Sequence, residues 1–182
     1  MALTYSQTIP FGKPAPDFSL PGIDGRTYSL ASFTDKKILV IIFMCNHCPY
    51  VQACWDRLIA LQNKFGSRGV QLIGINSNDS GNYPEDSFEK MKEYAEKRGH
   101  NFPYLCDTSQ ATAKAYGAVC TPDIFIYDGS RGMAYHGRID DNWQEPAKVK
   151  KHELAEALES LLRGEKPSQD QKPSMGCSIK WI

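Results

Sequence analysis

Seven consecutive apolar residues, ILVIIFM at positions 38–44, run straight into CNHC and then, with no linker, into a helical repeat. A continuous run rich in β-branched residues reads as a strand buried on both faces. From Cys48 onward the period changes: Val51, Trp55, Leu58, Leu61 and Phe65 recur every three or four residues until Gly66 and Gly69 end the pattern. That spacing marks an amphipathic helix packed back on the strand. A strand needing cover on both faces, followed at once by a helix that supplies it on one, points to a sheet layered between helices.

The rest of the chain fits that frame. DFSLPGIDGRTYSL (17–30) alternates apolar and polar residues around a Gly-Ile-Asp-Gly turn and reads as a hairpin, while VQLIGINS (70–77) is a second buried strand. PEDSFEKMKEYAEKRG (84–99) has Pro near its start and Gly at its end, the punctuation of a helix. QATAKAYG is a short helix, DIFIYD and GMAYHGRID form a second hairpin, and AKVKKHELAEALESLLRG (147–164) places Val149, Leu154, Leu158, Leu161 and Leu162 on one helical face. The fold class is α/β, a mixed sheet flanked by helices. Residues 1–164 are assigned to one domain and 165–182 to a tail. Pro, Ser, Gln and charge dominate 165–174, where nothing builds a core, yet the tail ends in GCSIKWI. That apolar ending is expected to fold back and bury Trp181 on the body.

Composition narrows the function. Lys plus Arg and Asp plus Glu both number 21, so no basic surplus points to nucleic acid or an anionic membrane. The longest apolar stretch is too short to span a bilayer, and the N-terminal residues lack a basic segment leading an apolar run. A cytoplasmic location is expected, with no membrane and no nucleic-acid partner. Six cysteines could make three disulfides, but a chain of 182 residues has room for a sizeable core. A close C-x-x-C in a reducing compartment is more often catalytic or metal-binding than structural.

The junction itself suggests the chemistry. Cys45 is expected near a helix N-terminus, exposed above the end of the strand, where free N–H groups and the helix dipole favour an anion such as a thiolate. Cys48 follows one helical turn later, placed to attack a mixed disulfide formed on Cys45. His47, as a cation or N–H donor, would tune the pair further toward thiolate. Cys54 falls on the apolar stripe, and Cys106 follows Phe102 and Leu105; both read as inert core thiols. Metal binding is the competitor, yet structural zinc takes four ligands, commonly as two separated pairs, and no second C-x-x-C or H-x-H follows. No metal site and no cofactor are therefore assigned. The loops at 76–86 and 139–143 lack the regular oxygen spacing of a calcium site and read as polar loops and a helix cap.

A C-x-x-C at a strand-to-helix junction, with Thr121-Pro122 opening the strand DIFIYD some seventy residues later, resembles the thioredoxin fold. More narrowly, GKPAPDFSLPGIDGRTYSL, CNHCPYV, VCTPDIFIYD, YHGRIDD and GCSIKW resemble the redoxin group, which holds AhpC/TSA-type peroxiredoxins and TlpA-like thiol-disulfide oxidoreductases. The resemblance covers nearly the whole chain from Gly12. It implies a central mixed sheet with an N-terminal hairpin extension, a cis Pro122 packed against the dithiol, and a Thr121 backbone available to pair with a substrate chain. Cys120 is then close to the site.

Departures from the peroxidase pattern matter. In P-x-x-x-T-x-x-C the peroxidatic cysteine aligns with Cys48, so the threonine position holds Cys45 and the proline position holds Ile41. Arg138 is the nearest candidate for the peroxidase arginine. Thiol-disulfide exchange, with Cys45 as nucleophile and Cys48 resolving, is the expected activity; a peroxiredoxin-like antioxidant thiol peroxidase and a metal carrier are the alternatives. The implied partners are a protein or small-molecule disulfide, or a peroxide, and an external thiol reductant. Cys177 is a possible additional thiol that either resolves, covers the site or merely packs the tail.

Overall fold

The computed structural model describes residues 3–182. In chain order its elements are β1 (Leu3–Tyr5), β2 (Leu20–Pro21), β3 (Thr27–Tyr28), β4 (Ile38–Phe43), α1 (Pro49–Phe65), β5 (Val70–Asn76), α2 (Phe88–Arg98), β6 (Tyr104–Cys106), α3 (Ala111–Tyr116), β7 (Cys120–Thr121), β8 (Asp123–Tyr127), β9 (Met133–His136), α4 (Glu153–Leu162) and β10 (Met175–Ser178). The main sheet has the order β6-β5-β4-β8-β9, with the apolar run at its centre. β4 pairs parallel with β5 and antiparallel with β8, so the sheet is mixed.

All six residues of β4 are buried, and alternation divides them between two cores. Ile38, Val40 and Ile42 face Val51, Trp55 and Leu58 of α1, together with Met91 of α2 and Leu154 of α4. Leu39, Ile41 and Phe43 face Tyr116 of α3 and the N-terminal Phe18, Leu20 and Phe33. Each fully buried large apolar side chain adds about 1.5–3 kcal/mol relative to exposure, which is what holds a strand covered on both sides. The hairpin at 17–30 is present as β2 and β3. This is the thioredoxin-like arrangement of a mixed central sheet flanked by helices.

Several elements differ from the sequence reading. The helix expected from Pro84 starts at Phe88, because Ser87 is extended (φ −62°, ψ 157°) and its hydroxyl caps Lys90 N–H. Pro84–Asp86 forms a separate 3₁₀ turn. The helix expected over 147–164 begins only at Glu153, leaving Val149 outside it. β6 was too short to register as a strand. Trp181 is 42 % exposed, whereas Ile179 is 3 % exposed and supplies the buried anchor expected of the tryptophan. Among the described residues, no helix is long and apolar enough to cross a membrane.

Candidate active site

β4 ends at Phe43, and Met44 N–H still bonds to Ile75 O before the chain turns outward. Cys48 becomes the N-cap of α1 in an extended conformation (φ −71°, ψ 121°), and Pro49 occupies the first turn, where its missing N–H costs nothing. The two thiols meet the segment before β8. Cys45 Sγ lies 3.5 Å from Thr121 Oγ1, and Cys48 Sγ lies 3.1 Å from Thr121 O. The Thr121-Pro122 peptide is cis. The structure thus brings Cys45, Cys48, Thr121 and Pro122 together. It corrects one expectation: Cys45 is buried, not exposed, with the Thr121 side chain packed against its thiol.

The charge distribution within the pair also departs from expectation. Burial pushes the Cys45 thiol well up, and its hydrogen bond to Cys48 and the nearby Asp86 carboxylate push the same way. Cys48 is held well below the usual thiol range, at about 5, first by the hydrogen bond from Cys45, with burial opposing. Thr121, the Val51 backbone N–H and Cys177 add to the pull. The Thr121 carbonyl at 3.1 Å suits a protonated Cys48 and opposes ionisation. The donors converging on Cys48 at a helix N-terminus pull its pKa down against that carbonyl and against burial, while Cys45 is pushed the other way.

His47 does not aim at the thiols. Its Nδ1 pairs with Asp86 Oδ2 at 2.6 Å, and its ring stacks on Tyr83. The hydrogen bond to Asp86 raises its pKa, against partial burial. Asp86, whose side chain is fully buried, also accepts from Asn46 N–H and Asn78 Nδ2, both at 2.7 Å. These bonds, that to His47 foremost, hold its pKa down against burial. Asn46, between the cysteines, is further fixed by Tyr104 Oη at 3.0 Å. The sequence reading placed Asp86 in a polar loop or cap. One of two adjacent acids in a Pro-Glu-Asp-Ser turn gives no sign that it faces residues forty positions away.

The other thiols sort by environment. Cys54 is buried on α1, where burial raises its pKa to about 12, and burial likewise raises Cys106 to about 11. Cys120 is buried and pushed up, pointing its thiol toward Pro122 O rather than toward the pair. Cys177 is different: β10 pairs with β7 in the register Cys177↔Thr121, and its thiol, raised first by burial, is near enough to Cys48 for each to shift the other. Arg138 is engaged with Glu153.

Cys45, His47 and Asp86 have ligating atoms within 4.8 Å of one another and are a candidate metal-holding group among the described residues. They number three where structural zinc takes four, and both Asp86 oxygens already accept bonds from neighbours. A cavity of about 570 Å³ lies elsewhere, lined by Arg57, Leu61, His152 and Glu156, and touches no thiol.

Comparison with known proteins gives the setting. Residues 11–136 match the model of the AhpC/TSA family. Peroxiredoxin Bcp of Escherichia coli is 32 % identical over 129 residues, 68 % of this chain and 76 % of that protein. Thiol-disulfide oxidoreductase ResA of Geobacillus thermodenitrificans is 26 % identical over 127 residues, 69 % of this chain and 67 % of that protein. A crystal structure of an uncharacterized conserved protein from Geobacillus kaustophilus superposes with a TM-score of 0.94 at 43 % identity, covering 100 % of this chain and 97 % of the other.

Proposed function

The chain belongs to the AhpC/TSA family and is an oxidoreductase, and on that premise we propose that it is a thiol-disulfide oxidoreductase working through Cys45 and Cys48. The observation that carries this reading is the placement of both sulfurs on Thr121, within 3.1 and 3.5 Å of its carbonyl and hydroxyl oxygens. The opposite directions in which the two thiols are shifted favour Cys48 as the attacking thiol and Cys45 as the resolving one, the reverse of the order expected from the sequence.

Cys48 thiolate attacks one sulfur of a substrate disulfide, that S–S bond breaks, and the departing thiolate takes up a proton. Cys45 then loses its proton and attacks Cys48. The Cys45–Cys48 bond forms, the second substrate thiol leaves with the proton, and two electrons have passed to the substrate. An external dithiol returns them. Asp86 holds Asn46 and keeps Cys45 protonated until it resolves, while His47 balances the buried carboxylate. His47 is thereby a positioning residue that acts on the thiols through Asp86.

The test is the first equivalent of thiol released from a model disulfide. Cys48→Ser should release none, and Cys45→Ser should still release the first equivalent at the wild-type rate. Release at the wild-type rate by Cys48→Ser would overturn the role assignment. A second reading, thiol peroxidase, is favoured by the low pKa of Cys48, the position that aligns with the peroxidatic cysteine. Rapid sulfenic acid formation at Cys48 with hydrogen peroxide, far faster than at an ordinary thiol, would select it.

A further inference from the structure

The C-terminal strand lies on the same backbone edge that a substrate chain would use. β10 pairs antiparallel with β7, placing Cys177 opposite Thr121 and Ser178 opposite Cys120. An extended segment added to a free strand edge is a common way for a protein to hold a peptide: backbone bonds fix the register and one side chain reaches the site. Here that side chain is a thiol, set opposite Thr121, whose carbonyl lies 3.1 Å from Cys48 Sγ, and the two thiols perturb each other.

The contact is built into the chain. A methyl group on Gly176 would come within 1.9 Å of Thr121 O and 2.6 Å of Thr121 C, so only a residue without Cβ lets the strand lie this close. Both flanks are tied down. Ser174 Oγ donates to Gly137 O at 2.7 Å, and Ile179 N–H donates to Val119 O at 3.0 Å. Lys180 O accepts from Asp79 N–H and Gln110 Nε2 at 2.8 and 2.7 Å. Cys177 is 3 % exposed and stands opposite Thr121, the residue against which both Cys45 and Cys48 lie, and Cys45 and Cys177 both perturb the Cys48 thiol.

We propose that the C-terminal strand is a built-in substrate mimic and that Cys177 is a third redox thiol, exchanging with the Cys45–Cys48 disulfide to form a Cys48–Cys177 disulfide. This rests on the dithiol reading given above. In the exchange, Cys177 sulfur attacks Cys48 sulfur, the Cys48–Cys177 bond forms and the Cys45–Cys48 bond breaks. Cys45 leaves as the thiolate and takes the proton that Cys177 gives up, with no net gain or loss of electrons. The oxidised protein then carries its tail stitched across Thr121. The strand cannot leave that edge to admit a substrate chain until a dithiol reductant attacks Cys177 and releases Cys48 as thiolate.

The experiment oxidises reduced Cys45→Ser and Cys177→Ser proteins with one equivalent of diamide, followed by non-reducing peptide mapping. Circular dichroism checks that each variant is folded, and Cys177→Ala replaces Cys177→Ser if it is not. The expected result is an intramolecular Cys48–Cys177 disulfide in Cys45→Ser and a Cys45–Cys48 disulfide in the Cys177 variant. A Cys45–Cys48 disulfide in the Cys177 variant with no Cys48–Cys177 disulfide in Cys45→Ser would overturn this inference and leave the dithiol reading standing. Failure of Cys48 to enter a disulfide in either variant would overturn both. Gly176→Ala supplies an independent readout: lifting the strand should accelerate alkylation of Cys48 at least tenfold, and an unchanged rate would count against the strand as the cover of the site.

Discussion

Replacing Asp86 by Asn tests the electrostatics of the site in one atom. The carboxylate is fully buried and takes four bonds, from the Asn46 and His47 backbone N–H groups, His47 Nδ1 and Asn78 Nδ2. An amide keeps one acceptor oxygen and turns the other position into a donor facing Asn78 and, below its pKa, a protonated His47. Breaking one side of a fully buried ion pair costs about 3–5 kcal/mol. The imidazole is 18 % exposed, so solvent screening lowers the figure and about 2–3 kcal/mol is expected. The pH window follows from the directions of the two shifts. The raised His47 contributes stability that is complete below its ordinary 6.5 and is lost as pH rises through its higher folded value. The lowered Asp86 contributes stability that is present above 3.8 and is lost as pH falls through its lower folded value. The cost of the substitution should therefore be greatest between about pH 4 and 6.5 and shrink in alkali, where neutral His47 can accept from the new amide. Urea unfolding with linear extrapolation, at about pH 5.5 and about pH 9, measures it. An equal cost at both pH values would refute the ion pair as its source. The same substitution removes a charge that raises Cys45, so Cys45 should ionise at lower pH, visible in the ultraviolet absorbance of the thiolate.

Three further outcomes are expected. Carboxymethylation of Cys48 should hold its rate from neutrality down to about pH 5 and then fall about tenfold per pH unit, whereas an inflection at the ordinary thiol value would contradict the thiolate assignment. Arg57→Ala leaves Asp140, 2 % exposed, without its ion-pair partner and frees the carbonyls of Asn142 and Trp143. It should cost about 3–5 kcal/mol in denaturant unfolding. Leu58→Ala, at a side chain with no exposure between α1 and the sheet, should cost about 2–5 kcal/mol, and a loss below 1 kcal/mol would mean the core there is not packed as described.

What the sequence made legible was set by periodicity and by local chemistry. β4 and α1 were readable because burial on two faces and on one face leave different apolar patterns, and the thiol pair lies where those patterns meet. Helix starts were less legible. Ser87 ends a 3₁₀ turn and opens α2 through its own side chain, and a run such as Pro-Glu-Asp-Ser-Phe contains acceptable starts at several positions. The division of charge between Cys45 and Cys48 was not legible at all. It depends first on how deeply each thiol is buried and on the pair's own contact, then on Asp86 beside Cys45 and Val51 beside Cys48, and the burial and the approach of Asp86 are set by chain topology.

The C-terminal strand shows the same limit from the other side. Residues 165–174 have the composition of a solvated linker, and four residues of strand carry too little pattern to be recognised. What fixes β10 is a set of single contacts distributed over the body: Gly176 against Thr121, Ile179 against Val119, Lys180 against Asp79 and Gln110. Each is weak as a sequence signal because each partner lies far away in the chain. Together they put Cys177 on the strand edge opposite Thr121, where the proposed exchange with Cys48 takes place. The order of reaction at this site therefore depends on how firmly a segment of ordinary composition is held in place. That makes the strand's release a step which substrate, reductant and the Cys48 thiolate all share.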